Sequence, residues 1–438
     1  MKIEKRIGQG GFGNVDLVVL ANGERCARKE FSQNQPLSAA LLTNVIKRFA
    51  KEVKVQSAIS HPNIVPIIGS DLGAEPPYYL MPLAESSLDD DLEKDRTLGG
   101  NFVSAISDIV SALEEIHSME IYHRDLKPQN VLRYTTGGKT TYSISDFGLI
   151  SMKESNLSEL TKSGMGKGSD FYTAPEIAND LRKASARSDV YSLGCILHDM
   201  VGKEPRVPFR EIREDGDFGP ILAACTKDDP SKRFASAKAV LDAILTVEYE
   251  PAGTLSDDSE DFLAILSAAE APDRETWDRL ASYLDEKATR ADIAAICGRL
   301  TADRIQAVCR DAPDSAKRIG LVFAEWVSGT AFNFDLSDAI ANRVDVFFQN
   351  CDFETKVECL MALLELGTSH NRWYVERKFV SLCGPDMDEN LAKRLVVKFH
   401  IEGKSAVCRK ISHLEGSIDF QRINLHPRLV SALADLCL

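Results

Sequence analysis

The sequence predicts an α+β fold, with a small antiparallel sheet followed by helices that continue through the second half of the chain. Three observations predict it. Short strand-like runs flank a glycine cluster within residues 2–31. Apolar residues then recur at helical spacing over 41–58 and 101–119. From residue 262 onward that spacing is almost unbroken, with a proline or glycine every 15 to 25 residues.

The elements follow in order. Residues 2–8 and 14–21 read as strands around Gly8-Gln9-Gly10-Gly11-Phe12-Gly13, with Val15, Leu17 and Val19 alternating. A glycine loop between strands lets backbone N–H groups approach phosphates, because no side chain blocks the way. Alone, such a run is an ordinary hairpin turn. The next strand carries Ala27 and Lys29 on one face and Arg28 on the other. Leu42, Val45, Ile46, Phe49 and Val53 make the 41–58 stretch amphipathic, and Glu52 lies within it. Tyr78-Tyr79-Leu80-Met81 reads as a buried strand leading into Pro82-Leu83-Ala84. The 101–119 helix, with Phe102, Ile106, Ile109, Val110, Leu113 and Ile116, delivers the chain to His123-Arg124-Asp125-Leu126-Lys127-Pro128-Gln129-Asn130. Val131-Leu132 and Tyr142-Ser143-Ile144 then form a hairpin turned at Gly137-Gly138, and Asp146-Phe147-Gly148 emerges at its end.

The chemistry concentrates in the string from His123 to Asn130, which matches H-R-D-L-x-x-x-N. Asp125 is spaced to accept a proton from an incoming hydroxyl. Asn130 can turn back to hold a metal, and Lys127 lies where a cation neutralises a phosphate in transfer. The glycine run fits G-x-G-x-x-G-x-V, and Ala174-Pro175-Glu176 follows Asp146-Phe147-Gly148. With these four motifs and the strand lysine of Cys26-Ala27-Arg28-Lys29 making five in the family's order, the chain resembles the eukaryotic-type (Hanks-type) serine/threonine protein kinase family over residues 1–247. Within that family it resembles the soluble bacterial members.

The resemblance implies a bilobal protein-kinase fold, ATP as the phosphate donor, Mg2+ as the metal and protein serine or threonine hydroxyls as acceptors. It assigns Lys29 to the α- and β-phosphates, with Glu52 as its partner, and Asp125 and Lys127 to catalysis. Asn130 and Asp146 become the metal ligands. Gly8, Gly10, Gly11, Gly13, Val15, Ala27, Met81, Leu83, Ala84 and Leu132 become the nucleotide pocket, with Met81 as gatekeeper and Pro82-Leu83-Ala84 as hinge. Arg124 beside the catalytic aspartate implies a phosphate on the 149–173 loop, at Thr161 or Ser163. Thr173 is assigned to the substrate platform. Asp189 is implied to anchor the catalytic loop, and Arg233 to pair with Glu176. Lys127 favours serine and threonine over tyrosine. The rivals are a pseudokinase scaffold, opposed by intact catalytic positions, and a kinase-fold enzyme for a small molecule, opposed by Ala174-Pro175-Glu176.

Composition bounds the partners. Net charge is -14, with 30 basic and 36 acidic residues in 1–250 and 22 and 30 in 251–438. Both halves are acidic, which argues against general nucleic-acid binding. The ten cysteines include no C-x-x-C pair and read as free thiols in a reducing compartment. A strand predicted from residue 2 leaves no room for a signal peptide, and no apolar run approaches the roughly 20 residues of a membrane helix. A cytoplasmic protein without membrane association is expected. Residues 248–261, with Pro251, Gly253 and the acidic Ser256-Asp257-Asp258-Ser259-Glu260-Asp261, read as a linker. Residues 262–438 read as an all-helical domain, either a short solenoid or a compact bundle, serving regulation or partner binding. His370, His400 and His413 read as isolated there, and Trp277, Trp326 and Trp373 as core.

Overall fold

In the computed structural model, residues 1–9, 13–32, 39–147, 169–178, 180–249, 253–268, 270–332, 334–370 and 372–437 are described. The chain divides into Met1–Ile244 and Leu245–Leu438.

In the first unit, strands β1 (Lys2–Gln9), β2 (Gly13–Val19), β3 (Arg25–Phe31), β4 (Gly69–Asp71) and β5 (Tyr78–Pro82) form one antiparallel sheet in the order β1-β2-β3-β5-β4. β2 departs from simple alternation: Leu17 and Val18 are both buried while Val15 and Val19 are half-buried. Helix α1 (Ala39–Ser57) lays Val45, Phe49 and Val53 against Ala27, Phe31, Tyr79 and Met81 of the sheet. Arg28 takes the other face of β3, where it pairs with Glu30 and lies 4.3 Å from the Tyr78 ring centroid.

Strand β6 (Ser86–Ser87) and helices α2 (Leu88–Lys94) and α3 (Phe102–Ser118) carry the chain onward. α2 starts where it does because Ser87 and Asp90 form a capping box. Strands β7 (Val131–Thr136) and β8 (Lys139–Ile144) pair around Gly137 and Gly138, both at positive φ, which only glycine adopts without strain. Helices α4 (Ala186–Val201), α5 (Gly219–Cys225) and α6 (Ala237–Glu248) complete the unit, the division falling within α6.

The second unit is all helix: α7 (Asp257–Ser267), α8 (Arg274–Glu286), α9 (Arg290–Arg299), α10 (Ala302–Asp311), α11 (Pro313–Ser328), α12 (Phe334–Asn350), α13 (Phe353–His370), α14 (Trp373–Leu382), α15 (Glu389–Glu402), α16 (Lys404–Ser417) and α17 (Pro427–Leu436). α13 packs against α11, α12, α14, α15 and α16. Its residues Val357, Cys359, Leu360, Met361, Ala362, Leu363, Leu364 and Leu366 are buried almost all round. The partners of α13 are the two helices before it and the three after it in chain order, the neighbour-only contact pattern of stacked helix pairs, which favours the short solenoid over the compact bundle.

Four expectations change here. The acidic run does not stay a linker: Ser256 caps α7, and Asp257, Asp258 and Glu260 occupy its first turn, where the helix dipole favours them. Cys408 and Cys437 are not free thiols but a disulfide joining α16 to α17, because α17 folds back beside α16. His413 is not isolated, since its Nε2 meets the fully buried Glu376 at 3.0 Å. Trp373 is exposed at the start of α14, whereas Trp277 and Trp326 are buried. The side chain of His370 lies outside the described residues. No described helix is long and apolar enough to cross a membrane.

Arg233 is buried, donates to both Glu176 oxygens at 2.8 and 2.9 Å, and also holds the Lys227 and Arg187 carbonyls. Removing it leaves a carboxylate without its counter-charge. Arg233→Ala should destabilise the first unit by about 3–5 kcal/mol, read as a lower urea midpoint.

Candidate active site

Asp189 sits in the first turn of α4 and is fully buried. Its Oδ2 accepts from His123 N at 2.8 Å and its Oδ1 from Arg124 N at 2.9 Å, and His117 Nε2 lies 2.8 Å from Oδ2. These bonds hold Arg124 at φ 68°, a left-handed conformation disfavoured for a side chain of this size. The turn presents Asp125. Lys127 Nζ donates to its two carboxylate oxygens at 3.0 and 2.8 Å. Asn130 Nδ2 donates to the Asp125 carbonyl at 2.8 Å and to Oδ2 at 3.1 Å. Asp125, Lys127 and Asn130, named from the sequence, thus meet in one hydrogen-bonded cluster.

A second cluster forms at the end of β8. Ser145 N and Oγ donate to the Asn130 carbonyl at 2.8 and 3.1 Å, and His123 Nε2 donates to Ser145 O at 3.0 Å. Phe147 is buried 5.4 Å from His123, ring centroid to centroid. Between these anchors Asp146 stands at φ 58°. Its Oδ1 is 2.5 Å from Lys29 Nζ and accepts from Tyr79 Oη at 2.9 Å. A Cβ on Gly13 would come within 2.9 Å of Lys29 Cε, so glycine there lets the lysine pass.

Burial alone would raise the Asp146 carboxyl, but the Lys29 charge and the bonds from Lys29 and Tyr79 outweigh it and hold its pKa below the ordinary range. Burial works against the Lys29 ammonium, yet Asp146 and Glu52 leave its pKa raised. Glu52 behaves differently. Burial, only partly offset by Lys29 and reinforced by Asp146 and Asp125, pushes its carboxyl up to about 8. Among the described residues the ion pair of Lys29 is with Asp146, not with Glu52 as the resemblance implied. Asp146 already neutralises the ammonium, so Glu52 keeps its proton near neutrality.

The expected pocket residues distribute as follows. Val15, Ala27, Met81 and Leu132 share one apolar cluster in the first unit. Gly8 pairs with Val15 across β1 and β2. Leu83 is exposed and Ala84 half-buried after β5. Gly10, Gly11, Gly148, Thr161 and Ser163 lie outside the described residues. Among the described residues no group of three or more His, Cys, Asp and Glu side chains could hold a metal. The donors Asn130 and Asp146 are an amide and a carboxylate joined through the Ser145–Asn130 bond, an oxygen set that suits a hard divalent cation completed by phosphates.

Two residues at this site escaped the sequence reading. His117 touches Asp189, and Tyr79 touches Asp146. The signal for Tyr79 was strand register: it lies directly opposite Lys29, so the two side chains share a face.

The family model described as "Protein kinase domain" matches residues 1–283 of the 438. The chain belongs to the protein kinase domain family. Among curated proteins it is similar to serine/threonine-protein kinase PknD of Chlamydia felis, 30% identical over 298 residues, covering 55% of this chain and 30% of that one. It is also similar to serine/threonine-protein kinase Pkn1 of Myxococcus xanthus, 28% identical over 248 residues, covering 56% and 34%. The DNA damage-responsive serine/threonine-protein kinase RqkA of Deinococcus radiodurans is 37% identical over 165 residues, covering 36% and 24%. The chain spans about a third or less of the length of these relatives.

Glu52 holds its proton more tightly folded than unfolded, since its pKa moves from 4.5 to about 8. The folded state therefore binds more protons between those values, and this group lowers stability as pH rises through that window. Glu52→Gln should melt like wild type near pH 5 and several degrees higher near pH 8.5, in a pH series of thermal melts.

Proposed function

We propose that the chain is a serine/threonine protein kinase that transfers the γ-phosphate of ATP to serine and threonine hydroxyls of proteins. The observation that carries this reading is the Asp125–Lys127–Asn130 cluster, tied through Ser145 to the Asp146–Lys29 pair. Five kinase motifs in order and the names of the relatives support it.

In this mechanism Asp125 orients the acceptor hydroxyl and takes its proton. Lys127 neutralises charge on the phosphate in transfer, and Lys29 steadies the α- and β-phosphates. Glu52, once ionised, is the reserve partner for Lys29. Val15, Ala27, Met81 and Leu132 give adenine an apolar wall, and the backbone at Leu83 and Ala84 supplies its polar contacts. Gly8, Gly10, Gly11 and Gly13 keep side chains away from the phosphates. Asn130 and Asp146 would hold Mg2+, which when bound would screen the phosphate charges. Rate enhancement then comes from positioning and charge stabilisation.

Regulation is assigned to two places. Thr161 or Ser163 takes a phosphate from the enzyme itself, with Arg124 as its receiving cation. The helical unit, which carries none of the five motifs, serves regulation or partner binding.

The test uses full-length chain, labelled ATP and a generic protein acceptor. Wild type should label serine and threonine. Asp125→Ala should lose about 10²–10⁴-fold of that rate while melting as wild type does. Equal labelling by Asp125→Ala would sink the reading. Peptide mapping after incubation with ATP should place phosphate on Thr161 or Ser163, and alanine at both should lower specific activity.

A further inference from the structure

We infer that Tyr79 is a positioning residue for the divalent cation, acting through Asp146; this rests on the kinase reading above. Tyr79 is 2% exposed, and its ring packs 5.8 Å from that of Phe49 on α1. Its strand position places it opposite Lys29. Lys29 and Tyr79 therefore approach Asp146 from the same sheet face and converge on the same atom, Oδ1.

That convergence has a consequence for the carboxylate. Oδ1 is occupied by an ammonium and a phenol, so Oδ2 is the oxygen left for a cation. Two donors on one oxygen also fix the rotation of the carboxylate about its last bond. Lys29 alone could not do this, because its flexible four-carbon stem lets the ammonium follow the carboxylate. The phenol is rigid, buried in the apolar cluster of β3, β5 and α1. The phenol is the donor in this bond, since the carboxylate oxygen it meets accepts. Asp146 itself sits at positive φ, so its backbone gains from a side-chain anchor.

The role is distinct from packing. Phenylalanine keeps the ring and removes only the hydroxyl. Loss of such a supporting bond typically weakens metal affinity about 10- to 100-fold. The experiment measures Mn2+ binding to the full chain with ADP present, by electron paramagnetic resonance, for wild type, Tyr79→Phe, Asp146→Asn and the double variant. Tyr79→Phe should bind Mn2+ about tenfold more weakly, with ADP affinity in metal-free buffer unchanged. In phosphate transfer, its half-saturating metal concentration should rise in parallel, with kcat recovered at saturating metal.

In the Asp146→Asn background the same substitution should change nothing further, because the hydroxyl acts only through the carboxylate. A loss that persists in that background, or one that appears equally in metal-free ADP binding, assigns Tyr79 to packing and overturns the inference. Mn2+ affinity in Tyr79→Phe equal to or tighter than wild type overturns it too. The kinase reading fails separately, if wild type transfers no phosphate while the Mn2+ series still ranks as predicted.

Discussion

The first unit depends on one buried carboxylate, Asp189. It is wholly removed from water and accepts from two consecutive backbone amides, at His123 and Arg124, with His117 beside it. Bonds to a charged acceptor contribute about 1.5–3 kcal/mol each, more than the roughly 1–3 kcal/mol cost of holding Arg124 left-handed. The sharp turn that follows is what makes a compact cluster of Asp125, Lys127 and Asn130. Without that anchor the loop would relax toward a lower-energy backbone, and Asp125 would lose its fixed position.

A second constraint ties the sheet to the loops. Lys29 and Tyr79 come from adjacent strands, and Asp146 from the end of β8. Three groups that could carry charge, Lys29, Asp146 and Glu52, share a poorly solvated space with one lysine to neutralise two carboxyls. The site resolves this by ionising Asp146 and leaving the proton on Glu52. Direct contact decides which acid is ionised, since Asp146 alone of the two touches the ammonium.

The helical unit obeys simpler physics. α13 is apolar on nearly every side because the two helices before it and the three after it cover it. Two buried carboxylates of this unit are matched: Glu376 meets His413 and Ser417, and Asp292 accepts from Ser256 and Thr289. The disulfide between Cys408 and Cys437 closes the last two helices.

By itself the sequence determined the strands, the first helices and the hairpin at Gly137-Gly138, and it singled out Lys29, Asp125, Lys127, Asn130 and Asp146 as the candidate site. These rest on local signals: apolar period, glycine at positive φ, and motifs whose members lie within a few residues of one another. The tertiary structure alone decided which acid Lys29 touches, that Tyr79 joins it, that Cys408 meets Cys437, and which helices cover α13. Each depends on through-space distance between segments far apart in the chain. A partner chosen by geometry and desolvation leaves no periodic or adjacent mark in the order of residues.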